Sequence, residues 1–252
     1  MRLCRFGPQG AERPGVALPD GSHLDVSSFG EDYGERFFGS DGVTRLAGWL
    51  AKHASSCPPL LPNERLGPCV MRPCKLVGVG RNYRAHAAEV GGEVPAEPIL
   101  FMKAPSAVSG PYDDVLLPPG STQTDWEVEL AVVIGRVARH VTVAHALEHV
   151  AGYALFNDYS ERSFQRERGG QWTKGKSADS FAPIGPYLVT DGVDPASLEL
   201  WLSVNGVERQ RAFTSGMIFD VPTLVAYVSE FMTLLPGDVI ATGTPEGVGS
   251  GQ

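Results

Sequence analysis

Two glutamates separated by one residue open an apolar run, Asp125-Trp126-Glu127-Val128-Glu129-Leu130-Ala131-Val132-Val133-Ile134-Gly135. On an extended backbone, side chains alternate between faces, so Glu127 and Glu129 project from the same one. The unbroken apolar residues that follow imply a strand buried on both sides. Two ionised carboxylates there repel each other at a cost of several kcal/mol unless something compensates. A divalent cation compensates both at once. Asp158 ends a second apolar run, Val150 to Phe156, where a strand meets a loop, and offers a third oxygen. Hard oxygen ligands without His or Cys suit Mg2+, Mn2+ or Ca2+ better than zinc, and an ion so held acts as a Lewis acid. The competing reading is that the E-x-E pair faces solvent or pairs with Arg and Lys, as most glutamates do.

Three further groups carry chemistry. In Arg81-Asn82-Tyr83-Arg84-Ala85-His86-Ala87-Ala88-Glu89, His86 and Glu89 fall three apart and share one face of a short helix. A carboxylate beside an imidazole fixes its tautomer and supports its charged form, as a general base acting on water requires; a surface pair has the same spacing. In Gln171-Trp172-Thr173-Lys174-Gly175-Lys176-Ser177, with Arg162 and Gln165 before it, two lysines flank a glycine and suit an anionic substrate or a developing oxyanion, unless the segment is an exposed loop. Thr242-Gly243-Thr244-Pro245-Glu246-Gly247-Val248-Gly249 is a glycine-rich loop able to bring backbone N–H groups and the Thr244 hydroxyl to a carboxylate, although most such loops are only turns. Neither a phosphate-binding G-x-x-x-x-G-K-[ST] nor a G-x-S-x-G elbow is present, which disfavours ATP chemistry and a serine hydrolase.

The elements that must position these residues are short strands. The 252 residues include 30 glycines and 20 prolines spread without a period, a sign of many tight turns. Strands are expected at Lys75 to Gly80, Trp126 to Ile134, Val150 to Phe156, Leu198 to Val204 and Val239 to Thr242, with Asn205-Gly206 supplying a type I′ hairpin turn. Helical spacing is limited to Thr44–Ala51, Tyr83–Val90 and Val221–Met232, and the mixed charges of Glu161 to Arg168 read as a solvated helix face. Strands outnumber helices without alternating with them, which favours an α+β, mixed β-rich fold over a doubly wound sheet. A hairpin is expected at Leu18-Pro19-Asp20-Gly21, and the proline-rich Ser55 to Pro62 marks a boundary, giving a small N-terminal domain over 1–70 and a catalytic domain over 71–252.

A net charge of −8 without Lys/Arg clusters disfavours nucleic acid, and neither a signal peptide nor a membrane span is visible, so a cytoplasmic location is expected. Cys4, Cys57, Cys69 and Cys74 form no C-x-x-C pair and read as reduced structural residues.

Gly80-Arg81-Asn82-Tyr83 with His86 and Glu89, D-W-E-V-E-L, N-D-Y-S-E-R, Gln171-Trp172 with G-K-S, and P-G-D-V-I-A-T-G-T-P-E-G-V-G together resemble the fumarylacetoacetate hydrolase family, in the family's order from about Lys75 to Gly249. Asp125 to Gly135, Arg166 to Ser177 and Met217 to Phe219 look most like the bacterial branch hydrolysing 2,4-diketo-3-deoxy derivatives of fuconate or rhamnonate, with acylpyruvate hydrolases also close. The resemblance implies a mixed β-sheet roll, usually a homodimer acting on a small oxo acid. It also implies Glu127, Glu129 and Asp158 as ligands of Mg2+ or Mn2+, and His86 with Glu89 as the dyad activating water, on a segment that orders as a lid over substrate. Arg162, Gln165 and Thr244 would contact substrate, and Lys176 rather than Lys174 would stabilise the oxyanion.

Tyr159 and Glu161 depart from the Val and Ala that relatives often carry, a change expected to alter pocket shape. The chain ends at Gln252, where relatives continue with a Gly- and Asp-rich strand region, so a truncated C-terminus is expected. The implied reaction is carbon–carbon hydrolysis of a 2,4-dioxo acid to pyruvate plus a second acid. Its rivals are decarboxylation or isomerisation of an oxo diacid of the oxaloacetate or 2-hydroxyhepta-2,4-dienedioate type, ureidoglycolate cleavage, which no residue specifically supports, and a metal-stabilised binding protein without activity.

Overall fold

The computed structural model describes residues 1–251. Fifteen strands run in chain order: β1 (Arg2–Phe6), β2 (Arg13–Ala17), β3 (His23–Asp25), β4 (Leu76–Gly80), β5 (Ile99–Lys103), β6 (Val108–Ser109), β7 (Thr124–Asp125), β8 (Val128–Ile134), β9 (Val150–Asn157), β10 (Ser160–Glu161), β11 (Ala182–Pro183), β12 (Leu188–Val189), β13 (Glu199–Val204), β14 (Val207–Phe213) and β15 (Val239–Ala241). Six α-helices join them: α1 (Glu35–Gly39), α2 (Gly42–His53), α3 (Arg84–Glu89), α4 (Arg162–Arg166), α5 (Thr173–Lys176) and α6 (Val221–Phe231).

Nine strands form one sheet in the order β3-β2-β1-β12-β9-β8-β15-β4-β5, in which β15 and β4 are parallel and the other neighbours antiparallel. This is the mixed α+β sheet expected from the strand-rich pattern. Strand β8 lies inside the sheet and every one of its residues is buried. Its side chains alternate between two cores: Ala131 and Val133 pack with Phe37, Leu46 and Phe156, while Val128, Leu130, Val132 and Ile134 pack with Leu224, Val225 and Val228 of α6. A strand with helices over both faces has no polar side to alternate, which is why its sequence reads as a continuous apolar run.

Local chemistry explains the connections. Asn205 and Gly206 both take positive φ, 52° and 77°, and close the β13–β14 hairpin as a type I′ turn. Asp220 caps α6 by accepting from the Thr223 amide at 3.0 Å, with Pro222 in the first turn where its missing donor is harmless. The proline-rich segment after α2 lies in the connection to β4. On its N-terminal side, β1 pairs with β12, so β1 to β3 extend the same sheet, and Leu3, Val16 and Tyr33 share one core with Ala131 and Phe156. Among the described residues no helix is long and apolar enough to cross a membrane.

Two expectations change. The strand expected from Trp126 begins at Val128, with Glu127 just outside it, although Glu127 still accepts from the Asp158 amide at 2.9 Å and donates its own to Asn157 Oδ1 at 2.9 Å. The segment expected as a solvated helix face is instead folded inward at its start: Glu161, Arg162, Ser163 and Gln165 are buried, and only Arg166 to Arg168 face solvent. Charge alternation alone does not reveal that the acids needed to pair with Arg162 arrive from another strand.

Candidate metal centre and active site

At the open end of β8 and β9 the three carboxylates meet. Glu127, Glu129 and Asp158 each present an oxygen within 4.8 Å of the others, and all three are buried. Glu129 is turned toward the loop after β15, where Gly243, at φ +97°, donates its amide to Glu129 Oε2 at 2.8 Å. A side chain at position 243 would be strained by that φ and would press on Asn82. Asn82 is itself fully buried and ties β4 to this loop, donating to the carbonyls of Phe219 and Thr242 and accepting from the Phe219 amide.

The charges around the cluster nearly cancel. Lys176 Nζ bridges Glu127 Oε2 and Asp158 Oδ2 at 2.6 Å each; Lys103 Nζ reaches Asp158 Oδ1 at 2.5 Å; Arg162 pairs with Glu127 at 2.7 Å and with Asp125 at 2.7 Å. Against these three cations stand four carboxylates, and Glu129 is the one without a cation in contact. Burial, together with the nearby Asp158 and Glu127, pushes its carboxyl well above the usual range. Burial acts the same way on Glu127, but Lys176 and Arg162 outweigh it and hold that group low. A crowded, buried set of hard oxygens, one of which lacks a cation in contact and has its carboxyl pushed upward, fits a divalent ion such as Mg2+ or Mn2+.

The Glu129 proton supplies a test. Because its folded-state value is raised, the proton stabilises the metal-free fold at low pH, and that contribution is lost as pH rises through the raised value. A cation needs the ionised form, so its affinity strengthens over the same rise. Glu129→Gln, which imitates the protonated acid, is expected to keep the melting temperature of the metal-free protein while losing the increase that Mn2+ gives the parent chain. Calorimetry with and without Mn2+ reads both, and an undiminished increase in the variant would remove Glu129 from the ligand set.

The other expected residues converge on the same cavity, a space of about 390 Å³ lined by His86, Glu89, Glu127, Glu129, Arg162, Gln165, Lys176 and Thr244. His86 Nδ1 lies 3.0 Å from Glu89 Oε2, and Glu89 Oε1 accepts the Gly247 amide at 2.9 Å. Among the described residues His86 Nε2 has no protein partner. Gln165 Oε1 accepts from Arg162 Nη1 at 3.1 Å, which leaves its amide nitrogen for a ligand. The Thr244 hydroxyl donates to the Val128 carbonyl at 2.9 Å and accepts from Gln210 at 2.8 Å, so it braces the loop against β8 as well as lining the cavity. Of the two lysines, Lys176 is buried and Lys174 exposed. Gly175 allows this: a methyl group there would collide with the Glu161 carbonyl and Gln165, where α5 packs on α4.

Several contributors escaped the sequence reading. Lys103 on β5 and Asp125 on β7 complete the ion network, and no local pattern distinguishes them from surface charges. Phe101 and Trp172 lie tilted against each other, 5.5 Å between ring centres, along one wall, with Lys176 Nζ 4.9 Å from the Phe101 ring. Arg81 and Arg166 also line the cavity. The departure at Glu161 serves structure: its carboxylate caps α4 through Ser163 and gathers Ser121, Gln123 and Thr124, which holds it down at about 2 against burial. Neither Glu161 nor Tyr159 lines the cavity.

Fold and site together define an α+β protein whose mixed sheet carries a buried acidic cluster at the floor of a polar cavity. Residues 75–252 match the model of the fumarylacetoacetate (FAA) hydrolase C-terminal domain, and the chain belongs to that enzyme family. A protein of Burkholderia multivorans named only as a hydrolase is 50% identical over 253 residues, covering 100% of this chain and 89% of its own length. Among solved structures, 5-carboxymethyl-2-hydroxymuconate delta-isomerase from Mycobacterium smegmatis is 37% identical with a TM-score of 0.78, covering 99% of this chain and 89% of that one. Maleylpyruvate hydrolase from Sphingobium sp. SYK-6, in complex with manganese(II) and pyruvate, is 34% identical with a TM-score of 0.82, covering 99% and 90%.

Proposed function

We propose that this chain is a divalent-metal-dependent hydrolase that cleaves a carbon–carbon bond of a 2,4-dioxo acid of the acylpyruvate type, giving pyruvate and a second acid. The observation that carries the reading is the His86–Glu89 pair facing the same cavity as Glu127 and Glu129, two of the three clustered carboxylates. An imidazole oriented by a carboxylate is suited to take a proton from water as a general base. The manganese and pyruvate bound by the Sphingobium maleylpyruvate hydrolase support the same reading.

Glu127, Glu129 and Asp158 would hold Mg2+ or Mn2+, which when bound supplies Lewis-acid stabilisation to the 1-carboxylate and 2-oxo end of the substrate. His86 Nε2 takes a proton from water, whose oxygen forms a bond to the distal carbonyl carbon. Lys176, Arg162 and the Gln165 amide stabilise the oxyanion that results. The bond between C3 and C4 then breaks, its electron pair stays with the three-carbon fragment as an enolate, and a proton delivered to C3 completes pyruvate. One water is consumed, and its oxygen remains in the second acid.

A second reading is isomerisation of an oxo diacid, favoured by the likeness to the Mycobacterium smegmatis isomerase. A panel of 2,4-dioxo acids assayed for pyruvate release in H2(18)O, with Mg2+ or Mn2+ and after EDTA, separates the two. Hydrolysis puts one labelled oxygen in the second acid and stops on metal removal. Activity surviving complete metal removal would overturn the proposal, and a rearranged diacid without pyruvate would support isomerisation.

A further inference from the structure

The cavity has a graded chemistry. Glu127, Glu129 and Lys176 line its charged part, Phe101 and Trp172 lie against each other as an aromatic wall, and two further arginines, Arg81 and Arg166, line it without an acidic partner. Arg162, by contrast, is neutralised by Asp125 and Glu127. Among the described residues Arg81 has no hydrogen bond or ion pair at all, and Arg166 only reaches Ser250 Oγ at 3.3 Å. Arg81 is also held in an uncommon backbone state: it follows β4 at φ 53°, a left-handed conformation that a long side chain adopts at some cost. The clamp is Asn82, whose buried amide bonds to Phe219 and Thr242 fix the next residue in place. The Arg81 guanidinium lies against Gly92, just beyond α3, where an added methyl group would come within 2.6 Å of Nη1. It is therefore placed beside the helix that carries His86, half-buried and unneutralised.

We infer that Arg81, assisted by Arg166, selects substrates that carry a second carboxylate at the end remote from the 2-oxo acid. This rests on the proposed function and narrows it to 2,4-dioxo dicarboxylic acids. An unpaired, partly desolvated guanidinium recognises carboxylate through two parallel hydrogen bonds, and the apolar wall suits an unsubstituted or unsaturated connecting chain. A polyhydroxylated chain of the deoxy sugar acid type would lay its hydroxyls along Trp172 and Phe101, which offer that wall no acceptor, and would leave Arg81 unanswered.

The test compares an acylpyruvate ending in a carboxylate, maleylpyruvate, with acetylpyruvate, which ends in a methyl group, in the parent chain, Arg81→Gln and Arg81→Lys. The parent is expected to favour the diacid in kcat/KM by about 10- to 100-fold, a charge-assisted pair's worth of binding. In R81Q this ratio should collapse toward one, mainly through KM, and R81K should restore part of it. A parent that cleaves both acids equally, or a ratio unchanged in R81Q, overturns the inference. Calorimetric binding of 2-oxoadipate and 2-oxohexanoate in the presence of Mn2+ gives the same comparison without turnover. Should no dioxo acid be cleaved, the proposed reaction fails while this pair still decides on Arg81: a diacid preference lost in R81Q supports it, and equal binding to the parent overturns it.

Discussion

His86→Ala is expected to lower kcat by about 100- to 10,000-fold, the usual contribution of a positioned general base, while Mn2+ affinity stays within about twofold. The separation of the two effects follows from geometry. His86 sits on α3 with Nδ1 committed to Glu89, outside the group of three carboxylates whose oxygens lie within 4.8 Å of one another. Removing it takes away the proton acceptor and leaves the cation site intact. Titration calorimetry with Mn2+ alongside steady-state pyruvate release measures both, and a variant that no longer binds Mn2+ would sink the dyad assignment. Glu89→Gln should fall between the parent and H86A, because an amide can still accept from Nδ1 but no longer favours the imidazolium that forms as water is deprotonated.

Lys176→Met is expected to move turnover and metal binding in opposite directions. Burial alone would depress the Lys176 ammonium, but Asp158 and Glu127 outweigh it and hold it charged. That charge lies 2.6 Å from an oxygen of each of two proposed ligands, so it competes with a cation for the same carboxylates. Taking it away should tighten Mn2+ binding. The same change removes the donor proposed for the oxyanion, at about a 100- to 1,000-fold loss in kcat. Methionine keeps most of the volume of the lysine stem, and Mn2+ present during purification offsets the uncovered negative charge. Weaker Mn2+ binding, or turnover near that of the parent, contradicts the role given to Lys176.

The clustering of the three carboxylates was legible because two local patterns coincide in them. The i, i+2 spacing of Glu127 and Glu129 puts both on one side of an extended chain, and the apolar run beyond them betrays burial. Asp158 follows its own apolar strand, and β9 is hydrogen-bonded to β8 residue by residue, with Val128 opposite Asn157. The His86–Glu89 pair was equally visible as a spacing, but only the fold distinguishes it from a surface pair, by burying His86 and giving Glu89 the Gly247 amide.

The strand-rich α+β class, the type I′ hairpin at Asn205-Gly206, the three carboxylates and the family pattern around them could be read along the chain, since each depends on side-chain period, turn chemistry or motif order within a short stretch. Folding is what brings Lys103 and Asp125 into the ion network, turns Glu161 to Gln165 inward and leaves Arg81 unpaired in the cavity. Burial and ion pairing at those positions depend on partners 37 to 55 residues away, as in Arg162 with Asp125 and Lys103 with Asp158, and on the packing of α4, α5 and the β15 loop around them. No local window of sequence contains both members of such a pair. Three carboxylates near one another define where a cation fits; which cations and anions surround them, and so what kind of acid fits above, is a property of the folded chain.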